Sequence, residues 1–349
     1  MKPPSESKAA ELIRKILAEH LGMEPDRLHT QRESRGSDLE ISHGGWNFVV
    51  EYLNSASVGV LSAAVEQLMN RHNTEPVLGI PTLAVPYMGN VGREICLNAG
   101  VSWLDLSGNA HITGPGLRII IEGRANKFRQ LGRPTNLFAP RSSRIARHLL
   151  LNPRQFQTQI EIARATRLDD GYVSKLVRRF KQEQFVIEDE RGAIRPRDPD
   201  VLLDAWQDAY DFKKHHIIKG HVSARSGESL LDSLAIVLDK QKVGFAATGL
   251  SAAWLWTKFA GFRIATIYLH EEPTQDLLSD LKFVEEESGA NTWLVIPNDD
   301  GVFDGSKKLP DIPCVSALQV YLDLQSHPER AKEAATSIRQ RYLNWKTRA

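Results

Sequence analysis

The sequence predicts a mixed protein, α/β plus α+β, with an N-terminal α/β domain, a central winged helix-turn-helix and a C-terminal α+β domain. Strands and helices alternate over residues 1–123. A helix, a turn, a basic helix and a hairpin follow one another over residues 157–197. Beyond them, helical stripes mix with short apolar strands. The predicted divisions are residues 1–123, a basic linker at 124–139, the winged domain at 140–199 and the last domain at 200–349.

Composition is that of an ordinary soluble globular protein. The 349 residues are 42% hydrophobic and 25% charged, with a net charge of +1. The only cysteines, Cys96 and Cys314, are far apart, which fits a reducing compartment and excludes a disulfide scaffold. The first residues lack the apolar core of a signal peptide, and no run is apolar enough to cross a bilayer. We therefore expect a cytoplasmic protein that does not contact membranes.

The alternation in the N-terminal part indicates an α/β domain. Gly44 and Gly45 separate two alternating apolar runs, which is typical of a β-hairpin. The predicted elements are helices at 5–21, 58–71 and 90–99 and strands at 38–42, 46–52, 81–86, 101–106 and 117–122.

The central segment has the pattern of a winged helix-turn-helix. A helix at 142–151 precedes a short helix at 158–166 and a second one at 172–184. In the last of these, apolar residues recur at i, i+3, i+4 and i+7 from Val173, so one face is buried and the opposite face is basic. A strand at 185–187, a turn at Arg191-Gly192 and a returning strand through Ile194 complete the hairpin.

The preceding residues form the sharpest charge feature of the chain. Eight basic residues and no acidic one lie between Glu122 and Glu161. They are Arg124, Lys127, Arg129, Arg133, Arg141, Arg144, Arg147 and Arg154. Such a run favours contact with DNA phosphates, and we expect the DNA-binding surface to extend back to Arg124.

The side chains predicted to contact double-stranded DNA are cationic or hydroxyl-bearing, as phosphate and guanine contacts require. They are Tyr172, Ser174, Lys175, Arg178, Arg179, Lys181, Arg144 and Arg147. The alternative is that the basic face is merely solvated, or that the winged domain binds protein.

The N-terminal domain resembles the PD-(D/E)xK restriction-endonuclease-like fold. Asp38 opens one strand, Glu51 lies on the next, and Gln67 falls in the following helix. Two carboxylates on neighbouring strands are able to share Mg²⁺. In that fold a lysine follows two residues after the second acid, but Leu53 stands there in this chain. We therefore expect no metal, no cofactor and no enzymatic activity, and keep a metal-dependent DNA endonuclease using Asp38, Glu51 and Gln67 as the alternative.

Three other candidate sites have structural explanations. The run from Asp105 to Asn109 ends a strand in a turn, which either lines a pocket or is purely structural. His215, His216 and His221 lack the spacing of a metal site, and we expect them in exposed loops. The small residues of 247–253 lack the end of a phosphate-binding loop and favour close helix packing. The remaining predicted elements of this part are helices at 229–238 and 328–345 and strands at 264–269 and 292–297.

From about residue 140 onwards, the chain resembles the AbiEi family of type IV toxin–antitoxin antitoxins. The motifs that carry this resemblance follow the family's order: GYVSKLVRR at 171–179, LLDAW at 202–206, ATGLSAA at 247–253, NTWLVIP at 291–297, VSALQVYLDL at 315–324 and PERA at 328–331. The winged helix usually begins proteins of this family, whereas here a whole α/β domain precedes it.

The resemblance implies a DNA-binding transcriptional regulator that represses its own operon and counters a nucleotidyltransferase-like toxin. It also implies that Tyr172, Ser174, Lys175, Arg178 and Arg179 contact DNA. The partners expected are therefore double-stranded DNA and such a toxin. A homodimer is a separate hypothesis, which paired half-sites in the DNA would support. A protein that only binds partners through its C-terminal part remains a further alternative.

Overall fold

The computed structural model describes residues 3–34, 37–74, 79–128, 137–259 and 261–345, without the side chains at 32–34 and 37–38. The chain divides into two compact units. One consists of Met1–Thr135 with Arg179–Phe185, and the other of Asn136–Arg178 with Val186–Ala349. The boundaries of the four predicted domains stay a prediction.

The N-terminal elements alternate as the sequence predicts. They are α1 (Glu6–Leu21), β1 (His29–Ser34), β2 (Ser37–His43), β3 (Trp46–Tyr52), α2 (Val58–Thr74), β4 (Ile80–Val85), α3 (Asn90–Ala99), β5 (Ser102–Asp105), β6 (Ala110–Gly114) and β7 (Leu117–Ile121). Strands β1 and β6 were missed, because β1 is polar throughout and β6 is short and contains His111.

These strands form one mixed sheet in sequence order, β1 to β7. The pairs β3–β4 and β4–β5 are parallel and are connected by α2 and α3, whereas the outer pairs are antiparallel. Leu61 of α2 packs with Leu83 and Trp103 on one side. Ile13 of α1 belongs to a second core with Phe48. Two separate cores flanking one sheet confirm the α/β prediction for this part.

A buried carboxylate organises the end of β5. Asp105 is fully buried, and its Oδ1 accepts hydrogen bonds from the backbone nitrogens of Ser107 at 3.0 Å and Asn109 at 2.9 Å. Its Oδ2 accepts from Met88 N at 3.1 Å and from Asn109 Nδ2 at 2.9 Å. Gly108 has a φ of 102°, which favours glycine. All these bonds hold a turn, so the structural interpretation of this motif is correct.

The central segment contains three helices and a hairpin. They are α4 (Ser143–Leu151), α5 (Gln159–Thr166), α6 (Asp170–Gln182), β8 (Val186–Glu188) and β9 (Ile194–Pro196). The three helices and β8 each begin and end within two residues of their predicted bounds. Strands β8 and β9 pair antiparallel, and Gly192 in the turn has a φ of 78°. Helix α6 begins in one compact unit and ends in the other.

The remaining elements form a second α and β assembly. They are α7 (Pro199–Ala209), β10 (His216–His221), α8 (Gly227–Lys240), β11 (Phe245–Thr248), α9 (Gly249–Thr257), β12 (Ala265–Leu269), α10 (Gln275–Asp280), β13 (Val284–Glu285), β14 (Thr292–Ile296), β15 (Lys307–Leu309), β16 (Ile312–Cys314), α11 (Ala317–Leu324) and α12 (Ala331–Tyr342).

Their strands form a mixed sheet in the order β13-β10-β14-β12-β11-β16-β15. The pairs β12–β14 and β11–β16 are parallel, and the others are antiparallel. The small residues Ala252 and Ala253 of α9 are buried, which confirms the predicted close packing. Arg339 of α12 donates to Asp200 at 2.9 Å and Asp204 at 2.6 Å, and so joins α12 to α7. Within the described ranges, no helix is long and apolar enough to span a membrane.

Replacing Asp105 by Asn is expected to destabilise the N-terminal unit by about 2–4 kcal/mol. The amide nitrogen would face N–H groups that now donate to a buried carboxylate, and a donor left unpaired in a protein interior carries its full desolvation cost. Urea unfolding measures the change. Asp26→Asn is the matched control, because the Asp26 side chain is 95% exposed. Equal stability of the two variants would contradict the structural role of this carboxylate.

Candidate nucleic-acid interface

Local capping determines where α5 and α6 begin. Thr158 and Glu161 form a capping box: Glu161 Oε2 accepts from Thr158 N at 2.7 Å, and Thr158 Oγ1 accepts from Glu161 N at 3.3 Å. Arg167 ends α5 in the left-handed region, with a φ of 57°. Asp169 Oδ1 then accepts from Tyr172 N at 2.8 Å at the start of α6. The turn between the two helices is therefore specified by the sequence on both sides.

Helix α6 has one buried and one exposed face. Val173, Leu176, Val177 and Phe180 are each at most 1% exposed, as their spacing predicts. Lys175 and Arg178 lie on the opposite face and are exposed, with the half-buried Ser174 beside them. Among the described residues, neither Lys175 nor Arg178 has an ion-pair partner. These side chains are one helical turn apart and are available to an external anion.

Three other predicted contacts on α6 already interact within the protein. Tyr172 Oη is 2.8 Å from Ser142 Oγ, and the Arg141 guanidinium lies 5.6 Å from the Tyr172 ring centroid. Arg179 forms an ion pair with Glu183 one turn further along. Lys181 is half-buried and also has a partner. These interactions compete with contacts to DNA.

The two predicted contacts on α4 are in unsuitable positions. Arg144 Nε donates to Asp299 Oδ1 at 2.7 Å, and this hydrogen bond raises the pKa of the guanidinium. Arg147 is only 3% exposed, and its Cζ lies 5.0 Å from the Trp206 ring centroid. The burial of Arg147 argues against its predicted contact with DNA. Arg147 lies on the buried face of α4. Counting the basic residues of this segment does not show which face of the helix each one occupies.

Part of the basic run upstream is also neutralised. Arg124 Nη2 donates to Glu19 Oε1 at 2.9 Å, and Arg141 lies 3.9 Å from Asp169. The predicted contributions of Arg129 and Arg133 fall outside the described residues. The available positive charge is therefore more localised on α6 than the composition of the run indicates.

The predicted nuclease pair lies on neighbouring strands. The antiparallel register of β2 and β3 places Leu39, next to Asp38, opposite Val50, next to Glu51. The Asp38 side chain itself is outside the described set. Glu51 Oε2 is 3.9 Å from Arg71 Nη1, and Gln67 is exposed, away from the buried face of α2. Within the described residues no group of three metal ligands is present. The nuclease alternative stays a prediction.

A buried polar network in the C-terminal part was not predicted. Asp323 of α11 is fully buried, and its Oδ1 accepts from Tyr210 Oη at 2.5 Å and from Gln319 Nε2 at 2.6 Å. Its Oδ2 accepts from Thr248 Oγ1. Burial raises the pKa of Asp323 from 3.8 to about 6. The one available signal was a pair of polar residues, Gln319 and Asp323, four residues apart in the mainly apolar sequence of α11.

His215 joins this network, so the expectation of an exposed loop was wrong for it. The side chain is 6% exposed. His216 and His221 are exposed as expected, but they lie at the two ends of strand β10 and not in loops. His215 Nδ1 accepts from Asn298 N at 3.1 Å, which leaves Nε2 to donate to Tyr210 Oη at 2.8 Å. Burial, with the positive charge of Arg147 second, lowers the pKa of His215 to about 4.

This network lies within the part of the chain that matches a known family. Residues 195–344 match the model for "Transcriptional regulator, AbiEi antitoxin, Type IV TA system". The resemblance predicted from the sequence motifs is confirmed for this AbiEi-like region. Helices α4 to α6 precede the matched residues. No curated protein and no solved structure gave a match.

Acid is expected to destabilise the AbiEi-like region through its buried histidines. Burial lowers the pKa of both His215 and His327 from 6.5 to about 4. Their stabilising contributions are fully present above pH 6.5 and are lost as the pH falls towards 4, by at most about 3 kcal/mol each. Asp323 acts oppositely: its contribution is fully present below pH 3.8 and is lost as the pH rises through about 6.

The variant His327→Asn removes the contribution of one of these two histidines and leaves the other in place. Between pH 7 and 4.5, its free energy of unfolding should fall by about 2 kcal/mol less than that of the wild type. Urea unfolding at several pH values provides the measurement, with His221→Asn as the exposed control. Parallel pH profiles for all three proteins would show that His327 protonation is not linked to unfolding.

Proposed function

We propose that this protein is a DNA-binding transcriptional regulator of the antitoxin type, which represses its own operon and opposes a nucleotidyltransferase-like toxin. The observation that carries the proposal is the pair of exposed cations on α6, Lys175 and Arg178, which have no ion-pair partner in the described part of the chain and lie just ahead of the AbiEi-like region. A regulator needs both a surface that binds DNA and a part that responds to a partner.

In this proposal, α4 to α6 and the β8–β9 hairpin form a winged helix-turn-helix, with α6 as the recognition helix. The B-DNA major groove is about 12 Å wide, which admits one α-helix. The outward face of α6 carries Ser174, Lys175 and Arg178 and no acidic residue between Gly171 and Arg178. Sequence order and face polarity both support this orientation.

The individual roles follow from chemistry and availability. Arg178 is assigned to base edges, since a guanidinium matches the O6 and N7 acceptors of guanine. Lys175 and Ser174 are assigned to phosphate oxygens. Tyr172 is assigned a positioning role, because its hydroxyl group already interacts with Ser142. Arg147 is left out because it is buried.

The hairpin is assigned a structural role in DNA binding. Asp189 Oδ1 accepts from Arg191 N at 3.0 Å and Ala193 N at 2.9 Å, which closes the turn. Glu188 and Glu190 are exposed beside it. Three acids close together repel phosphates, so we expect the recognition helix, rather than this turn, to supply most of the electrostatic attraction.

The double variant Lys175→Ala/Arg178→Ala tests the DNA interface. Its affinity for DNA from upstream of its own gene should fall about 100-fold, at about tenfold for each lost contact. A gel shift measures this. Because only Lys175 of this pair is assigned to a phosphate, the slope of log affinity against log salt should also fall by about 0.9.

The matched control is Lys240→Ala/Lys332→Ala, which removes two exposed helical lysines from the AbiEi-like region. Its affinity should equal that of the wild type. Equal losses in both double variants would indicate nonspecific electrostatics, and no loss in the α6 variant would contradict the assignment of this helix.

The antitoxin role has a separate test. The α6 double variant should still suppress the growth arrest caused by a nucleotidyltransferase-like protein encoded beside it, because the AbiEi-like region is unchanged. Co-expression and co-purification measure this. Growth arrest that neither wild type nor variant relieves, with no complex recovered, would contradict the antitoxin role and leave DNA binding as a separate question.

A further inference from the structure

A small cavity lies beneath α4. Its volume is about 100 Å³, and its lining includes Ser143 and Arg147 of α4, Tyr210, Lys214 and His215 after α7, and Asn298 after β14. The cavity thus brings the helix-turn-helix segment together with residues of the AbiEi-like region. All the lining residues belong to one compact unit.

Arg147 gives this cavity its chemical character. The side chain is 97% buried, since only 3% of it is exposed. Its Nε and Nη1 atoms have no hydrogen-bond partner among the described residues. Trp206 covers one face of the guanidinium, at 5.0 Å from its ring centroid. An ionised group buried without a partner is costly, and an acceptor that fills the cavity would offset this cost.

Among the described residues, the carboxylates of the lining do not hydrogen-bond to Nε or Nη1 of Arg147. The cavity is lined by two carboxylates, Asp211 and Asp299, and both are hydrogen-bonded elsewhere. Asp299 Oδ1 accepts from Arg144 Nε at 2.7 Å, and Asp211 Oδ1 accepts from Lys213 N at 3.0 Å. Lys214 adds a second positive charge at the lining. His215 Nδ1 is occupied as an acceptor by Asn298 N, so this imidazole is neutral. The lining thus has as many acidic as basic side chains, and an anion is favoured by the unpartnered guanidinium atoms of Arg147, not by the net charge.

We propose that this cavity binds a small oxyanion of the size of inorganic phosphate, with Arg147 as its principal ligand and Lys214 at the entrance. A volume of about 100 Å³ is large enough for one small oxyanion. The anion is either free phosphate or the terminal group of a phosphate monoester whose remainder stays outside.

The position of the site gives it a regulatory consequence, which rests on the proposed DNA-binding function. Helix α4 packs against both α5 and α7. An anion held between Arg147 of α4 and Lys214 after α7 links the helix-turn-helix to the AbiEi-like region. Occupancy therefore changes the affinity of α6 for DNA, because a ligand that favours one arrangement shifts the population towards it.

The test is thermal unfolding of the full chain titrated with inorganic phosphate, and in parallel with glycerol phosphate, at constant ionic strength in chloride. At ten times the dissociation constant, the melting temperature of the wild type should rise by about 2 °C, and it should then continue to rise with the logarithm of the phosphate concentration, as expected for a ligand that binds the folded state. The rise should be absent in Arg147→Met and unchanged in Lys240→Met, which removes an exposed cation far along the chain.

Lys214→Met keeps the proposal falsifiable if Arg147→Met fails to fold. Lys214 is exposed, so its replacement leaves the core intact. We expect about tenfold weaker phosphate binding, the loss of one charge-assisted contact. No rise in the wild type, or a rise of equal size in both cavity variants, would overturn the site. A rise with glycerol phosphate but not with free phosphate would identify the monoester as the source.

Binding to DNA is measured separately, with and without phosphate. Operator affinity that changes with phosphate in the wild type but not in Lys214→Met supports the regulatory role, and an unchanged affinity contradicts it. A protein that binds phosphate through Arg147 but no DNA would contradict the proposed function alone. DNA binding without saturable phosphate binding would contradict the anion site alone.

Discussion

Two arginines of α4 join the segment from α4 to α6 to the AbiEi-like region. Arg144 pairs with Asp299, and Arg147 stacks on Trp206. Both side chains are removed from solvent to a degree that is unusual for arginine, so each interaction depends on close geometry. Since α5 packs on α4 and leads directly into α6, the direction in which the exposed cations point depends on this anchoring.

Basic residues of the chain therefore occupy two different environments. Arg144 and Arg147 are parts of the interior, whereas Lys175 and Arg178 are exposed on α6. Interior arginines add little to the attraction between protein and DNA, because their charge is paired or buried. The network around Asp323 is a second group of buried polar side chains. Tyr210 links Asp323 to His215, and His215 lines the same cavity as Arg147.

Periodicity predicted the elements that bury one face and expose the other. The stripe from Val173 to Phe180 correctly indicated α6, and the alternation around Gly44 correctly indicated the β2–β3 hairpin. It missed β1, whose six residues are all polar, and β10, whose burial is set by neighbouring strands. Strand β1 pairs with the adjacent β2 but has no apolar alternation that would mark it, whereas β10 pairs with β13 and β14, which are distant in sequence and leave no local pattern.

The candidate site was predictable only in part, for a related reason. The basic face of α6 is local, and its helical spacing is visible in the sequence. The burial of Arg147 depends on Trp206, nearly sixty residues later, and the burial of His215 depends on Asp323 and its neighbours. Charge counting treats every arginine between Glu122 and Glu161 alike, whereas tertiary contacts separate those that remain available from those that do not.

Competition binding tests the central claim, sequence-specific recognition of its own operator, most directly. The full chain is bound to labelled DNA from upstream of its gene at physiological salt, and unlabelled competitors are added. A specific regulator should prefer the upstream fragment over unrelated DNA of equal length by about 10³-fold or more. Equal competition by both fragments would show that α6 supplies only nonspecific phosphate attraction, and would contradict the account of this protein as a transcriptional regulator.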